Sequence, residues 1–263
     1  MKKRIFIIAL LSAMMIFPTC KKKPEQEVTV QFSVGDAKIV SASGQKPASS
    51  GDILSFDDSI VTGKFSVVDL NFGTKGVIRI TENSNVKMAM LQAKTGTEET
   101  RFDMRKGKIF VILSKLSKGS NFSIITPTTL AAVRGTSFMV VSDPKSSKIS
   151  VLKGSILVQL AKEGKLAENI EKILDANKKV VVSEDLANQI IAGKKKLEVA
   201  ALSAKEISEM KEEIKKIKIS DKLDPEAQKE LTDIISDSKA KPDATKMKKQ
   251  ESGNKDVQPM PSL

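Results

Sequence analysis

Val28-Thr29-Val30-Gln31-Phe32-Ser33-Val34 alternates apolar and polar side chains, and Gly35-Asp36 intervenes before Ala37–Ser41 resumes the extended pattern. A period of two puts every second side chain on one face of a pleated strand, and Gly-Asp is a turn signal. The stretch therefore predicts a strand, a turn and a returning strand. The same rhythm continues downstream. Strands are expected at Ser66–Phe72, Gly76–Thr81, Asn85–Met90, Lys108–Leu113, Asn121–Thr126, Ser137–Val141, Lys148–Leu152 and Ser155–Leu160, parted by turn residues that include Gly73, Asn83, Gly107 and Gly154. Ser43–Gly51, rich in Ser, Gly and Pro, is expected as a loop. Ile170–Leu174 and Val180–Ser183, joined by Asp175-Ala176-Asn177, are expected as a closing hairpin. Many short strands at this spacing predict a mainly β body over 28–183, an antiparallel roll or sandwich or a solenoid.

The period then changes. Ser203-Ala204-Lys205-Glu206 has the form of a capping box, and Ile207, Met210, Ile214 and Ile217 recur at helical spacing. Asp224-Pro225 offers an N-cap and an N1 proline for a second helix with Leu231, Ile234 and Ile235 on one side. Leu197–Leu202 is expected as an earlier helical stretch. Residues 184–237 are thus read as a helical segment whose apolar faces pack onto the β body. Residues 238–263 are Lys-, Pro- and Ser-rich with few apolar side chains, and are expected to be a disordered tail.

At the other end, Met1-Lys2-Lys3-Arg4 is a basic segment and Ile5 to Phe17 is apolar apart from Ser12. That run has the length of a secretory h-region and is short of the about 20 residues a membrane span needs. Cys20, the only cysteine, follows it and precedes Lys21-Lys22-Lys23. The arrangement resembles the signal and lipid-attachment cysteine of a bacterial lipoprotein. It implies a signal peptide over 1–19, a lipidated Cys20 bearing acyl chains such as palmitate, and a polar tether over 20–27. Phe17-Pro18-Thr19-Cys20 departs from the usual Leu-(Ala/Ser)-(Gly/Ala)-Cys and is similar to the relaxed lipoboxes of spirochaetal lipoproteins. A signal cut elsewhere, leaving a free thiol, and an uncleaved anchor are the alternatives. Only four residues precede the apolar run, so no cytoplasmic regulatory arm is expected.

Composition restricts the chemistry. The chain has no His, Trp or Tyr and one Cys, which excludes an imidazole base, a His metal site, a zinc-thiolate cluster and an internal disulfide. No catalytic residue, metal or cofactor is expected. The net charge of +12 falls mostly between Cys20 and Leu160. Nucleic acid is not an expected partner: arginines are few and Phe is the only aromatic, so bidentate base readout and stacking platforms are both scarce. Membrane contact through the lipid, and an envelope protein or anionic envelope polymer, are the expected partners.

The densest motif lies between Gly107 and Gln159. Thr126-Pro127 ends one strand, Val133-Arg134-Gly135-Thr136-Ser137-Phe138 opens the next, and Val151, Gly154, Ile156 and Val158 follow as strand, turn, strand. Upstream stand Gly51-Asp52-Ile53-Leu54 and Asp58-Ser59-Ile60-Val61-Thr62-Gly63. In this order and register, from about Gly51 to Ser183, the chain resembles the FecR domain. The motif residues Thr126, Pro127, Arg134, Gly135, Thr136 and Phe138 read as structural. Pro127 denies a strand a donor, Gly135 permits a close backbone approach, and Phe138 faces the core. Arg134 either clamps an anionic ligand or satisfies strand-end carbonyls or a carboxylate such as Asp103 or Asp143; the structural role is favoured.

The resemblance implies an extracytoplasmic interaction or sensing module. The leading expectation is a lipid-anchored, non-enzymatic envelope protein that binds a protein or an envelope polymer. A component of transmembrane signalling, relaying iron or stress status through a separate membrane partner, is the second. A carboxylate-based hydrolase of envelope polymer is the least favoured. The lysines beside Cys20 favour the periplasmic face of the inner membrane over the outer membrane.

Overall fold

The computed structural model describes residues 27–92, 98–116, 120–133, 135–162, 165–217 and 221–237. The expected signal segment, Cys20, Arg134 and the tail 238–263 lie outside the described residues. The first strands are β1 (Val28–Val34), β2 (Ala37–Ser41), β3 (Gly44–Pro47), β4 (Ile53–Leu54), β5 (Ser59–Thr62), β6 (Val67–Phe72) and β7 (Gly76–Ile80). Then come β8 (Asn85–Gln92), β9 (Glu98–Leu113), β10 (Ser120–Ile125), β11 (Thr129–Val133), β12 (Ser137–Asp143) and β13 (Ser146–Lys153). The chain closes with β14 (Ser155–Lys162), β15 (Lys165–Asp175), β16 (Lys178–Ser183), α1 (Glu184–Ile191), β17 (Ala200–Ala201), α2 (Ala204–Lys215) and α3 (Pro225–Asp237).

These strands build two layers that share β9. In the first layer, strands lie side by side in the order β4, β1, β6, β7, the C-terminal part of β9, β12, β13, β16, β17. In the second, the order is β3, β2, β5, β8, the N-terminal part of β9, β10, β11, β14, β15. Pairing is antiparallel throughout except between β9 and β10, which run parallel from Glu98 opposite Ser120. The expected mainly β architecture with C-terminal helices is what the chain adopts.

Alternation dictates the core. In β1, Val28 and Val30 are buried; in β6, Val68, Leu70 and Phe72; in β9, Phe102, Met104, Ile109 and Val111. These inward sets meet between the layers in one continuous apolar cluster. Phe72 of the first layer meets Phe122 of the second edge to face, with ring centroids 5.3 Å apart, and Phe102 lies 5.5 Å from the same ring. Each such buried side chain contributes about 1.5–3 kcal/mol. Helix α1, capped by the Ser183 hydroxyl accepting from the Leu186 N–H, adds Ala187 and Ile190 to this cluster.

A second cluster lies on the outer face of the first layer. Val77, Phe110, Ile112 and Met139, the outward set of β7, β9 and β12, pack against Met210 and Ile214 of α2 and Leu231 and Ile234 of α3. Both helices start where the sequence placed them. Ser203 and Glu206 form the reciprocal capping box, and the Asp224 carboxylate accepts from the Ala227 N–H at 2.8 Å.

Four expectations are corrected. Gly107 does not turn the chain back: β9 runs straight through it, and its φ of +118° lets the strand bend from the second layer into the first. The segments expected as a closing hairpin do not pair with each other. β15 bonds to β14 and β16 to β13, so the turn between them crosses from one layer to the other. Leu197–Leu202 is not helical. It runs extended and supplies β17, because Ala200 and Ala201 complete the ladder beside Lys179 and Lys178. Within the expected loop Ser43–Gly51, Gly44–Pro47 forms the edge strand β3.

Candidate functional site

The motif residues sit where the two layers are tied together. Thr126, Thr128, Thr129 and Ser147 are all buried. The Thr129 N–H donates to Thr126 Oγ1 at 2.9 Å, and Thr126 Oγ1 lies 2.7 Å from Ser147 Oγ. Thr128 Oγ1 contacts the same serine oxygen and donates to the Val182 carbonyl at 3.1 Å. One chain of hydroxyls thus joins the β10–β11 turn to β13 and β16 of the opposite layer. Pro127 occupies the turn itself, where its missing N–H leaves no donor stranded.

Gly135 has φ +154°, and a Cβ there would stand 2.8 Å from Lys115 Cα. The close approach is between backbones, so glycine is required. Thr136 Oγ1 donates to the Ser155 carbonyl at 3.0 Å, and Phe138 is 2% exposed in the inter-layer core. The two carboxylates considered as partners of Arg134 have other donors. Arg101 holds Asp103 through contacts of 2.6 and 3.2 Å. Asp143 accepts from the Lys145 N–H at 2.8 Å and the Ser146 hydroxyl at 2.7 Å, which hold its carboxyl below the usual range.

The sequence reading missed an ion pair. Asp69 of β6 and Arg79 of β7 face each other on the outer side of the first layer, in bidentate contact at 2.7 and 2.8 Å and almost fully buried. Arg79 also donates to the Glu213 and Lys216 carbonyls at the end of α2, at 3.1 and 2.9 Å. Burial pushes the Asp69 carboxyl up and the guanidinium pulls it back. The legible signal is a charged residue on each strand of a hairpin, at positions that alternation turns toward the same face.

Two surfaces can receive a partner. Among the described residues, no helix packs on the outer face of the second layer as α2 and α3 do on the first. Across it runs a row of cross-strand neighbours, Ala89, Arg101, Ser123, Ala132, Leu157 and Ile173, and Ile173 on the edge strand β15 is 62% exposed. The other is an open groove of about 720 Å³ between α1, β16 and β17, rimmed by Lys179, Lys194, Lys195 and Lys196. Among the described residues, no helix is long and apolar enough to cross a membrane.

No curated protein matches the chain at a significant level. Two crystal structures of a candidate anti-sigma factor from Parabacteroides distasonis ATCC 8503 superpose on it with TM-scores of 0.43 and 0.42, at 14% and 15% identity. Each alignment covers 57% of this chain and 62% of the other, so the chain spans under two thirds of that protein's length. The family model described as FecR protein matches residues 58–157, from the start of β5 into β14, with the Thr126–Phe138 motif inside it. Residues 58–157 of the double-layered β body are therefore similar to the FecR protein family.

Proposed function

We propose that this protein is a lipid-anchored, non-enzymatic envelope protein held outside the cytoplasm through Cys20, and that its FecR domain is a docking module for another protein or an envelope polymer. The observation that carries the reading is the asymmetry of the two layers. Among the described residues, the chain's amphipathic helices α2 and α3 lie on one outer face and no helix lies on the other, which with the edge strand β15 is the surface we assign to a partner. The motif residues Thr126, Pro127, Gly135, Thr136 and Phe138 then serve the scaffold, with the surfaces around them carrying recognition. Composition supports the non-enzymatic part, since imidazole and accessible-thiol chemistry are both lacking.

The domain plan that goes with this reading is a signal over 1–19, a tether over 20–27, the FecR-containing body over 28–183, a helical cover over 184–237 and a polar tail over 238–263. The anchor is tested by metabolic palmitate labelling of the wild type and Cys20→Ser, followed by membrane fractionation. Label and membrane association lost together in the variant are expected; a soluble wild type without label overturns the anchor. The docking role is tested by crosslinking in intact envelopes. A second reading, signalling through a separate membrane partner, draws its support from the FecR match. A receptor or transducer among the crosslinked species favours it, whereas a wall or scaffold component favours the first.

A further inference from the structure

Large apolar side chains scattered over a surface are ordinary, and the body has several. Ile53, 56% exposed, and Phe56, 44% exposed, are set apart by where they lie. Thr29 pairs with Ile53 and Val28 with Leu54, so β4 flanks the point at which the chain enters β1. Phe56 occupies the turn that follows. The Ser55 N–H donates to the Asp58 carboxylate at 2.8 Å and the Asp58 N–H to the Ser55 carbonyl at 3.1 Å, so the ring is displayed by a closed turn. The carboxylates beside the two apolar residues are both answered. Lys46 lies 2.6 Å from Asp52, and Lys87 lies 2.8 Å from Asp57. Along the ladder Val28, Phe72, Gly76 and Leu113 stand abreast, which brings the exposed Lys115, two residues further, to the same end of the layer.

The reach of the chain says what this corner meets. Eight residues lead from Cys20 to Val28, a span of at most about 29 Å when fully extended. A body anchored through Cys20 therefore keeps the start of β1, and the residues flanking it, close to the bilayer. Two half-exposed side chains offer too little apolar area to hold a protein on a membrane alone. The tether changes what is asked of them: it keeps them at high local concentration beside the lipid, so that they have only to select an orientation.

We propose that Ile53 and Phe56 form a lipid-contacting patch that enters the headgroup–acyl boundary and fixes how the anchored body stands on its membrane. The proposal rests on the reading of Cys20 as the anchor and adds a second, non-covalent contact with the same bilayer. Phe65 is the internal comparison. It is the more exposed ring, yet it lies past the other end of β1, where a Cβ on Gly35 would stand 3.0 Å from the Phe65 carbonyl oxygen. The seven residues of β1 span about 20 Å between the two ends. Exposure alone would send Phe65 into lipid, whereas the position of the tether sends Phe56.

The chain has no Trp, so Ile53→Trp, Phe56→Trp and Phe65→Trp each introduce its only indole. The test takes each full chain, acylated in the cell, into vesicles of phosphatidylcholine and phosphatidylglycerol with brominated acyl chains, and reads tryptophan emission after flotation. Ile53→Trp and Phe56→Trp are expected to float, to shift to the blue and to lose about half or more of their emission to bromine, since an interfacial contact buries its apolar face about 5–10 Å deep. Phe65→Trp is expected to float equally and to keep its emission. Thermal melts show that each variant is folded, and the two patch positions are read independently. Flotation with no more quenching at Ile53 and Phe56 than at Phe65 would overturn the patch while the anchor stands. A blue shift without bromine quenching would assign the corner to a protein contact and overturn the patch as well. Failure of the wild type to float would overturn the anchor, and the orientation with it.

Discussion

Arg79 and Asp69 oppose each other on adjacent strands beneath the end of α2, and the arginine donates two further N–H groups to the Glu213 and Lys216 carbonyls. The pair is therefore both a cross-strand bridge and the C-terminal cap of a helix that belongs to a different part of the chain. A salt bridge so dry does not contribute much over an apolar pair of equal volume, but removing one partner strands the other.

Arg79→Ala should accordingly destabilise the protein by about 3–5 kcal/mol, with Asp69 left buried and α2 uncapped. The double variant Arg79→Met, Asp69→Leu should recover much of that loss. Urea unfolding measures both. Hydrogen exchange in the single variant should show α2 losing protection before the sandwich does. Equal loss in the single and double variants would mean that the pair matters for more than charge balance.

Glu206 joins Lys179, Ser203 and, at 3.5 Å, Lys148. Lys179 donates to both its oxygens at 2.8 Å, and the Ser203 N–H and hydroxyl donate at 2.9 and 3.0 Å. These hold its pKa down to about 2, from 4.5. A depressed folded-state pKa means that the stabilisation is present above about pH 4.5 and is lost as pH falls towards 2. Glu206→Gln should therefore be less stable than wild type at pH 7, and the gap should close between pH 4.5 and pH 2 in parallel denaturant titrations. A gap independent of pH would show that packing, not charge, distinguishes the two.

Gly107 carries the bend that lets β9 belong to both layers. A methyl group there would lie 2.1 Å from Ser84 Oγ, at a φ of +118°. Gly107→Ala should cost more than about 1 kcal/mol, since both the clash and the backbone conformation oppose it. Adding Ser84→Gly should return only the side-chain part of the clash, because Ser84 Cα would still stand 2.5 Å from the new methyl group. Thermal melts of the single and double variants measure that part.

Phe65 lies in the opposite regime. It stands between β5 and β6 at φ +56°, 77% exposed, with Lys64 Nζ 4.8 Å from its ring centroid. A left-handed backbone costs a side-chain-bearing residue about 1–2 kcal/mol, whereas glycine adopts it freely but loses about 0.5–1 kcal/mol to chain entropy. Phe65→Gly should leave stability unchanged or raise it by up to about 1 kcal/mol. A drop in melting temperature would mean that the ring packs more firmly than its exposure implies.

Phe122 tests the core. Its ring meets Phe72 from the other layer and Phe102 from its own. Phe122→Ala should cost about 3–5 kcal/mol, the range for deleting a buried aromatic. Calorimetry that found less than half of this would place the junction of the layers elsewhere.

Much of this was legible along the chain. Alternation in Val28–Val34, the capping box at Ser203 and Glu206, and Asp224-Pro225 all act through neighbours within a few residues, and local sterics and hydrogen bonding suffice to set them. The order of Thr126-Pro127 and Arg134-Gly135-Thr136-Ser137-Phe138 was likewise enough to place the family resemblance. What residue type and spacing decided, then, was the period of each segment, the starts of α2 and α3, and the exclusion of imidazole chemistry. Only the tertiary structure decided which layer each strand joined. It carried Gly107 through a bend and not a turn, sent β15 and β16 to different layers, and brought Asp69 and Arg79 beneath a helix more than a hundred residues away in sequence. The reason is that strand pairing and burial depend on distant partners. A strand's alternation says which of its side chains share a face, but what covers that face is settled by the elements that happen to lie against it.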